Sequence, residues 1–336
     1  MAAKIMLAVL TAWLLVPVLC WAAEQAAPAQ QKPWPFFAFC MDTHDAKKRS
    51  LQQQAELLKE LGYDGAGHLW LDNAAERLKT LDQAGLKLFQ IYMKLSLDAK
   101  PSGDRQPISK QPEIGVSPRW PSYDVRLKDV LRLLKSSGDR QPISQQPEIG
   151  VSRRCPTMLA VLVGGGKPSD ASLDGRAAQL LREIADLAEP QGVRVVLYPH
   201  VGDWLEKFDD AIRVARKVDR PGVGVMFNLC HFLKVSDERN IKGLLEQAGP
   251  LLMAVSINGC DGSAEIRAGK GKWIVPLDEG NFDMAVLLKT LKGVNYPGPV
   301  GIQCYGIGGD AREHLARSIA VWRRMNSTPT TPQTTQ

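Results

Sequence analysis

The sequence predicts an α/β fold: a single closed (β/α)8 barrel of eight parallel strands. Three observations predict it. Short apolar runs alternate with longer helical stretches from residue 34 to residue 325. The runs are continuously apolar, as strands buried on both faces must be, which implies a parallel sheet covered by helices. There are eight of them, a number that favours closure over an open doubly wound sheet. No GxGxxG follows the first run, which weakens a dinucleotide-binding alternative.

The predicted strands are Pro35–Cys40, Tyr63–His68, Lys87–Tyr92, Met158–Val163, Val193–Tyr198, Val223–Asn228, Leu251–Ile257 and Pro299–Cys304. The stretches between them carry three-to-four spacing, as in Leu180, Leu181, Ile184 and Leu187, or Leu205, Phe208, Ile212 and Ala215. A helix over Tyr123–Lys135 serves as the crossover between the third and fourth strands. It is flanked by two copies of one 16-residue segment, 102–117 and 137–152, which differ only at Lys110 and Gln145. Their Gly, Pro, Ser and Gln content has no packing periodicity, so they read as inserted loops rather than as a repeat fold. A dedicated binding loop is the alternative. The tail over 326–336 is polar and Thr/Pro-rich, the composition of a disordered end.

The N-terminus has the parts of a secretory signal over residues 1–23: Lys4, an apolar run from Ile5 to Leu19, and small residues at Ala22 and Ala23. The run is short for a bilayer and Pro17 interrupts it. A polar linker follows over 24–33. The expectation is an exported protein, periplasmic or extracellular, with no membrane association after cleavage. Losing Lys4 with the signal takes the formal net charge from +6 to +5. That excess is unclustered, which argues against a nucleic-acid partner. Cys40, Cys155, Cys230, Cys260 and Cys304 remain, odd in number and widely spaced, so neither a disulfide framework nor a zinc cluster is indicated.

In such a barrel, chemistry sits at the carboxyl ends of the strands. There the chain places Asp42 and His44, then His68 and Trp70, then Tyr92 and Lys94. The fourth strand ends in Gly164-Gly165-Gly166-Lys167, where a plain turn competes with a phosphate cradle on the helix beginning near Ser172. Later ends supply Tyr198 and His200, Asn228 and His231, Ser256, Asn258 and Asp261, then Gln303 and Tyr305. Trp70 and Trp204 stand among them. Aromatic and hydrogen-bonding groups together suit a carbohydrate, which has apolar faces and hydroxyl edges.

The runs VVLYPH, GVMFNLCHFL, VSINGCDG and IVPLDEGNFD…YPGPVGIQ resemble the last four units of the xylose isomerase-like TIM barrel family of sugar isomerases and epimerases. The resemblance implies a divalent metal held by carboxylates and histidine, catalysing proton or hydride shifts on a sugar. The chain departs from that pattern at four positions. Tyr198 stands for the usual Glu, Asn228 for Asp, Ser256 for His and Gln303 for Glu, while His231 is retained. Neutral donors hold a hard cation poorly. His200, His231, Asn228 and Gln303 remain as a weak candidate set for a loosely bound divalent metal.

Two readings follow. In the first, the chain is a sugar isomerase or epimerase with His200 and His231 catalytic, and with His68, Trp70, Lys94, Tyr198, Asn228, Asn258 and Gln303 binding a small carbohydrate. In the second, the same residues bind a carbohydrate without turnover. A glycosidase needs two flanking carboxylates, for which Asp42 and Asp261 are the available pair.

Overall fold

The computed structural model describes residues 34–98, 123–136 and 156–326. The expected signal, the linker, both duplicated segments and the tail beyond Asn326 lie outside the described residues, as does Cys155.

Eight strands pair in chain order, all in parallel, and the last returns to the first to close the barrel. They are β1 (Phe36–Phe39), β2 (Gly65–His68), β3 (Lys87–Ser96), β4 (Met158–Gly164), β5 (Arg194–Leu197), β6 (Val223–Asn228), β7 (Leu252–Ile257) and β8 (Val300–Gln303). Each predicted strand is present. The largest difference is β3, which runs four residues beyond Tyr92 because it stays paired with β4 as far as Ser96↔Gly164.

The helices are α1 (Leu51–Leu61), α2 (Ala74–Ala84), α3 (Leu127–Ser136), α4 (Asp174–Ala188), α5 (Phe208–Val218), α6 (Leu229–Val235), α7 (Ile241–Ala248), α8 (Ser263–Arg267), α9 (Met284–Gly293) and α10 (Ala311–Asn326). Local chemistry fixes their ends. Ser50 and Gln53 form a capping box on α1, and Gly62 closes it in the left-handed conformation (φ +80°). The predicted crossover helix begins at Leu127 instead of Tyr123, because Tyr123 is drawn into an antiparallel bridge with Leu95. In α4, Leu181 and Ile184 are fully buried against the strands, as their spacing requires.

Inside the ring a second core is built mainly from large aromatics. Phe37 stacks on Phe89 with centroids 4.9 Å apart, and Phe39 on Tyr92 at 5.3 Å. Glycine at two strand positions makes room for them. A Cβ on Gly67 would lie 2.7 Å from Cβ of Phe39, and one on Gly301 would lie 2.7 Å from the ring of Phe37. The interior is therefore a packed plug, and the space for chemistry is confined to its upper rim.

Candidate functional site

Strand alternation selects which side chains reach that rim. Tyr92, Ala160, Val196, Met226 and Ala254 belong to the inner core. Two residues further along their strands come Lys94, Leu162, Tyr198, Asn228 and Ser256 on the same inward side. Gln303 follows Gly301 in the same way on β8.

Tyr198 is the hub. Its hydroxyl accepts from Asn228 Nδ2 at 2.6 Å and from Gln303 Nε2 at 3.4 Å. The amide oxygens of both partners are engaged elsewhere. Asn228 Oδ1 accepts from the His231 backbone N–H (3.3 Å) and from Cys230 Sγ (2.9 Å), which caps α6; Gln303 Oε1 accepts from the Tyr305 N–H at 3.1 Å. Burial pushes the Tyr198 phenol well above its ordinary range, with Cys230 adding to the effect, so the hydroxyl keeps its proton. Beside this hub Ser256 pairs in register with Asn228, and its buried Oγ has no hydrogen-bond partner. Asn258 is also buried. Its Nδ2 donates to the carbonyls of Gly259 and Trp273, both at 2.8 Å, while its Oδ1 is unpartnered.

His200 and His231 join the same cluster. Their ring centroids are 4.0 Å apart, and the Tyr198 ring is 6.2 Å from His200 and 5.7 Å from His231. Val201 lies between the imidazoles: His200 Nδ1 is 2.9 Å from its carbonyl, and its N–H donates to His231 Nδ1 at 3.4 Å. Those bonds assign the proton to Nδ1 of His200 and to Nε2 of His231. Burial lowers both pKa values; His200 adds to the effect on His231, and Lys94 adds to it on His200, where Asp203 at 3.7 Å partly offsets it. His231 is buried, whereas the His200 side chain keeps 37% of its surface.

On β3 the Lys94 ammonium lies 5.3 Å from the centroid of the Trp70 ring. Trp70 itself has a left-handed backbone (φ +64°), uncommon for a bulky residue. His68 is bound into the wall: Nε2 is 2.6 Å from the Asp72 carbonyl and Nδ1 accepts from Arg77 Nε at 3.4 Å, leaving neither nitrogen free. Trp204, read from the sequence as part of the rim, is instead 1% exposed and donates to the Asp170 carbonyl, because the loop after β5 turns it outward under α4. Trp273 takes a rim position that sequence reasoning missed. Its ring meets His231 edge-on at 5.8 Å, and its Nε1 donates to the Cys230 carbonyl at 2.6 Å. Nothing in its local sequence marks it, since it arrives on a loop 15 residues after Asn258.

The other candidates have structural work. Both oxygens of Asp261 accept backbone N–H groups, from Lys272 and Asn281, so the carboxylate pair considered for glycoside cleavage loses one member. His44 Nδ1 accepts the Gly306 N–H and ties the first loop to the last. In the glycine turn, Asp170 already accepts the Ser172 N–H, so that donor is not available to a phosphate. A cavity of about 580 Å³ opens outside the ring between α5 and α7, but none of the rim residues above lines it, and its Arg239 and Arg267 are paired with Asp237.

A family profile described as xylose isomerase-like TIM barrel matches residues 146–325, more than half of the chain. The chain belongs to that family. Solved structures of similar fold include the IOLI protein with a bound zinc atom (TM-score 0.62, 16% identity, covering 87% of this chain and 98% of that one). Another is the apo form of 3-keto-D-glucoside 4-epimerase, YcjR, from E. coli (TM-score 0.60, 17% identity, 87% and 99% covered). A third is D-allulose 3-epimerase from Methylomonas sp. in complex with D-allulose (TM-score 0.60, 14% identity, 88% and 98% covered). Identities this low establish the shared fold alone. No curated protein sequence matches the chain significantly.

The donor set of this barrel does not fit the divalent metal that the family resemblance implies. Among the described residues no three His, Cys, Asp or Glu side chains are grouped to hold a metal ion. The amide oxygens of Asn228 and Gln303 face N–H or S–H donors, and Nδ1 of each histidine is engaged with Val201. What the rim offers is a centre of neutral hydrogen-bonding groups, edged by the Lys94 ammonium over Trp70, the Lys234 ammonium over Trp273 and Asp203 beside His200. Among the described residues no helix is long and apolar enough to cross a membrane.

Proposed function

We propose that the mouth of this barrel binds a small carbohydrate directly through its side chains, without a divalent cation. The observation that carries this is a pair of hydroxyl groups at the rim that keep unused hydrogen-bonding capacity. Ser256 Oγ is buried without a partner, and Tyr198 accepts two hydrogen bonds while its own proton has no acceptor among them. Buried polar groups are normally satisfied, and vicinal sugar hydroxyls both donate and accept. Trp70 and Trp273 beside them supply the aromatic surface that a sugar face requires. The sugar-epimerase fold of the family supports the same substrate class.

Calorimetric titration with neutral hexoses and pentoses in excess EDTA is the test. Binding should persist in the chelator and weaken roughly tenfold in Ser256→Val, the loss of about one hydrogen bond to a buried group. Binding that appears only after metal is added overturns the proposal.

A metal-free isomerase or epimerase is the second reading, favoured by one observation: His200 is half-exposed, and its Nε2 is the lone-pair nitrogen. A neutral imidazole at that position is a suitable general base for a carbon acid. Incorporation of deuterium beside the sugar carbonyl in D2O, abolished in His200→Gln, would establish turnover. Deuterium incorporation that survives in His200→Gln rules out that base.

The proposal includes export. The supporting feature is the charged, apolar and small-residue sequence of residues 1–23. N-terminal sequencing of the secreted chain should begin at Ala23 or Glu24; an intact Met1 in the mature protein contradicts it.

A further inference from the structure

We propose that the carbohydrate bound at this rim is an acidic one, a uronic or aldonic acid whose carboxylate pairs with Lys94. This inference rests on the carbohydrate-binding reading above and names its substrate class. Lys94 is an exposed residue on the inward side of β3, paired in register with Leu162 and so at the level of Tyr198. Among the described residues it has no carboxylate partner, unlike Lys242 and Lys272, which are held in ion pairs. An aromatic face holds it instead: the Trp70 ring, on a left-handed backbone.

The surroundings do not neutralise it. Tyr198, Asn228, Ser256 and Gln303 ring the centre of the mouth with uncharged groups, and burial keeps His200 and His231 neutral near pH 7. Asp203 is the nearby acid, and it is turned to His200 at 3.7 Å. Asp42, on the loop after β1, acts on His68 and Arg77. Two ammonium groups thus stand on the aromatic faces of the rim, Lys94 on Trp70 and Lys234 on Trp273, and of these Lys94 is the one carried on the inward side of a strand, where it attracts an anion. Tyr198 stands at the same level of the ring for a hydroxyl of the same molecule, and Lys94 is near enough to His200 to oppose its protonation. A neutral sugar would satisfy those hydroxyl partners and leave Lys94 unused. A carboxylate on the sugar satisfies both with charge-assisted hydrogen bonds.

Calorimetric titration of the mature full-length protein in EDTA tests this, comparing glucuronate and galacturonate with glucose and galactose, and with glucose 6-phosphate as a second anion. The acids should bind at least about tenfold more tightly than their neutral parents, with the advantage shrinking as salt is raised. Lys94→Met should remove most of the advantage of each acid over its neutral parent, measured in the same variant, and Lys94→Arg should retain most of it. Equal affinity for acid and neutral sugars, or an advantage that survives Lys94→Met, overturns this inference and leaves the carbohydrate reading standing. Preference for the sugar phosphate over both uronates also overturns it. If no sugar of either kind binds, the carbohydrate reading fails and this inference falls with it.

Discussion

The rings of His200 and His231 lie 4.0 Å apart, centroid to centroid, and share Val201, which accepts from one imidazole and donates to the other. Two imidazoles this close cannot both carry a positive charge without repulsion, and His231 is buried against Trp273 as well. The pair is thus fixed in its neutral, hydrogen-bonding form around neutral pH.

Removing one ring should free the other. In His200→Ala, His231 loses part of its cover from solvent and a neighbour whose protonation opposes its own, so its depressed pKa should move up toward the ordinary 6.5. Histidine ring resonances followed through an NMR pH titration report this directly. An unshifted His231 would mean the two rings do not interact electrically.

His314 in α10 provides a separate pH effect. It is buried, neither ring nitrogen has a partner, and desolvation lowers its pKa to about 4 despite Asp45 and Asp310 nearby; Arg49 and Arg317 push the same way as burial. The unfolded chain takes up this proton near pH 6.5 and the folded one only near 4, so stability falls as pH drops through that window and levels off below it. The loss is at most about 3 kcal/mol. Urea unfolding at pH 7 and pH 4.5 should show a drop that shrinks by at least about 1 kcal/mol in His314→Leu. An identical drop in both proteins assigns the effect to other groups.

Tyr198→Phe deletes the acceptor shared by Asn228 and Gln303. Two buried amide groups are left with fewer partners, which should lower unfolding stability by about 1–3 kcal/mol. A larger loss of sugar affinity than of stability would separate its binding role from its packing role.

Metal analysis of the purified protein after dialysis should find well under one equivalent of divalent ion, because neutral oxygens already engaged with N–H donors make poor ligands for hard cations. The double substitution Asn228→Asp and Gln303→Glu places two carboxylates around the Tyr198 hydroxyl and should raise manganese or zinc retention. Stoichiometric metal in the unsubstituted protein would overturn the neutral-rim description.

The strand sequence was legible because each strand is buried on both faces: Val223–Asn228 was read with its true ends, and Met158–Val163 falls one residue short of β4. The convergence of Tyr198, His200, Asn228, His231 and Gln303 was also legible, since closure of an eight-stranded ring forces residues at equivalent strand ends to face one another. Commitments of single side chains were not. His68 is bound to Asp72 and Arg77, and Trp204 is turned outward. Both outcomes depend on loops whose paths are set by distant contacts.

By itself the sequence determined the closed barrel, the rim at the carboxyl ends of its strands and the uncharged residues Tyr198, Asn228, Ser256 and Gln303 at that rim, because these depend on hydrophobic period and residue identity. Only the tertiary structure decided that Trp273 joins His231, that Ser256 is left without a partner, and that Lys94 is held by Trp70 without an acid beside it. Hydrogen-bond and charge partners come from different elements, and a chain's local pattern carries no record of which of them will meet.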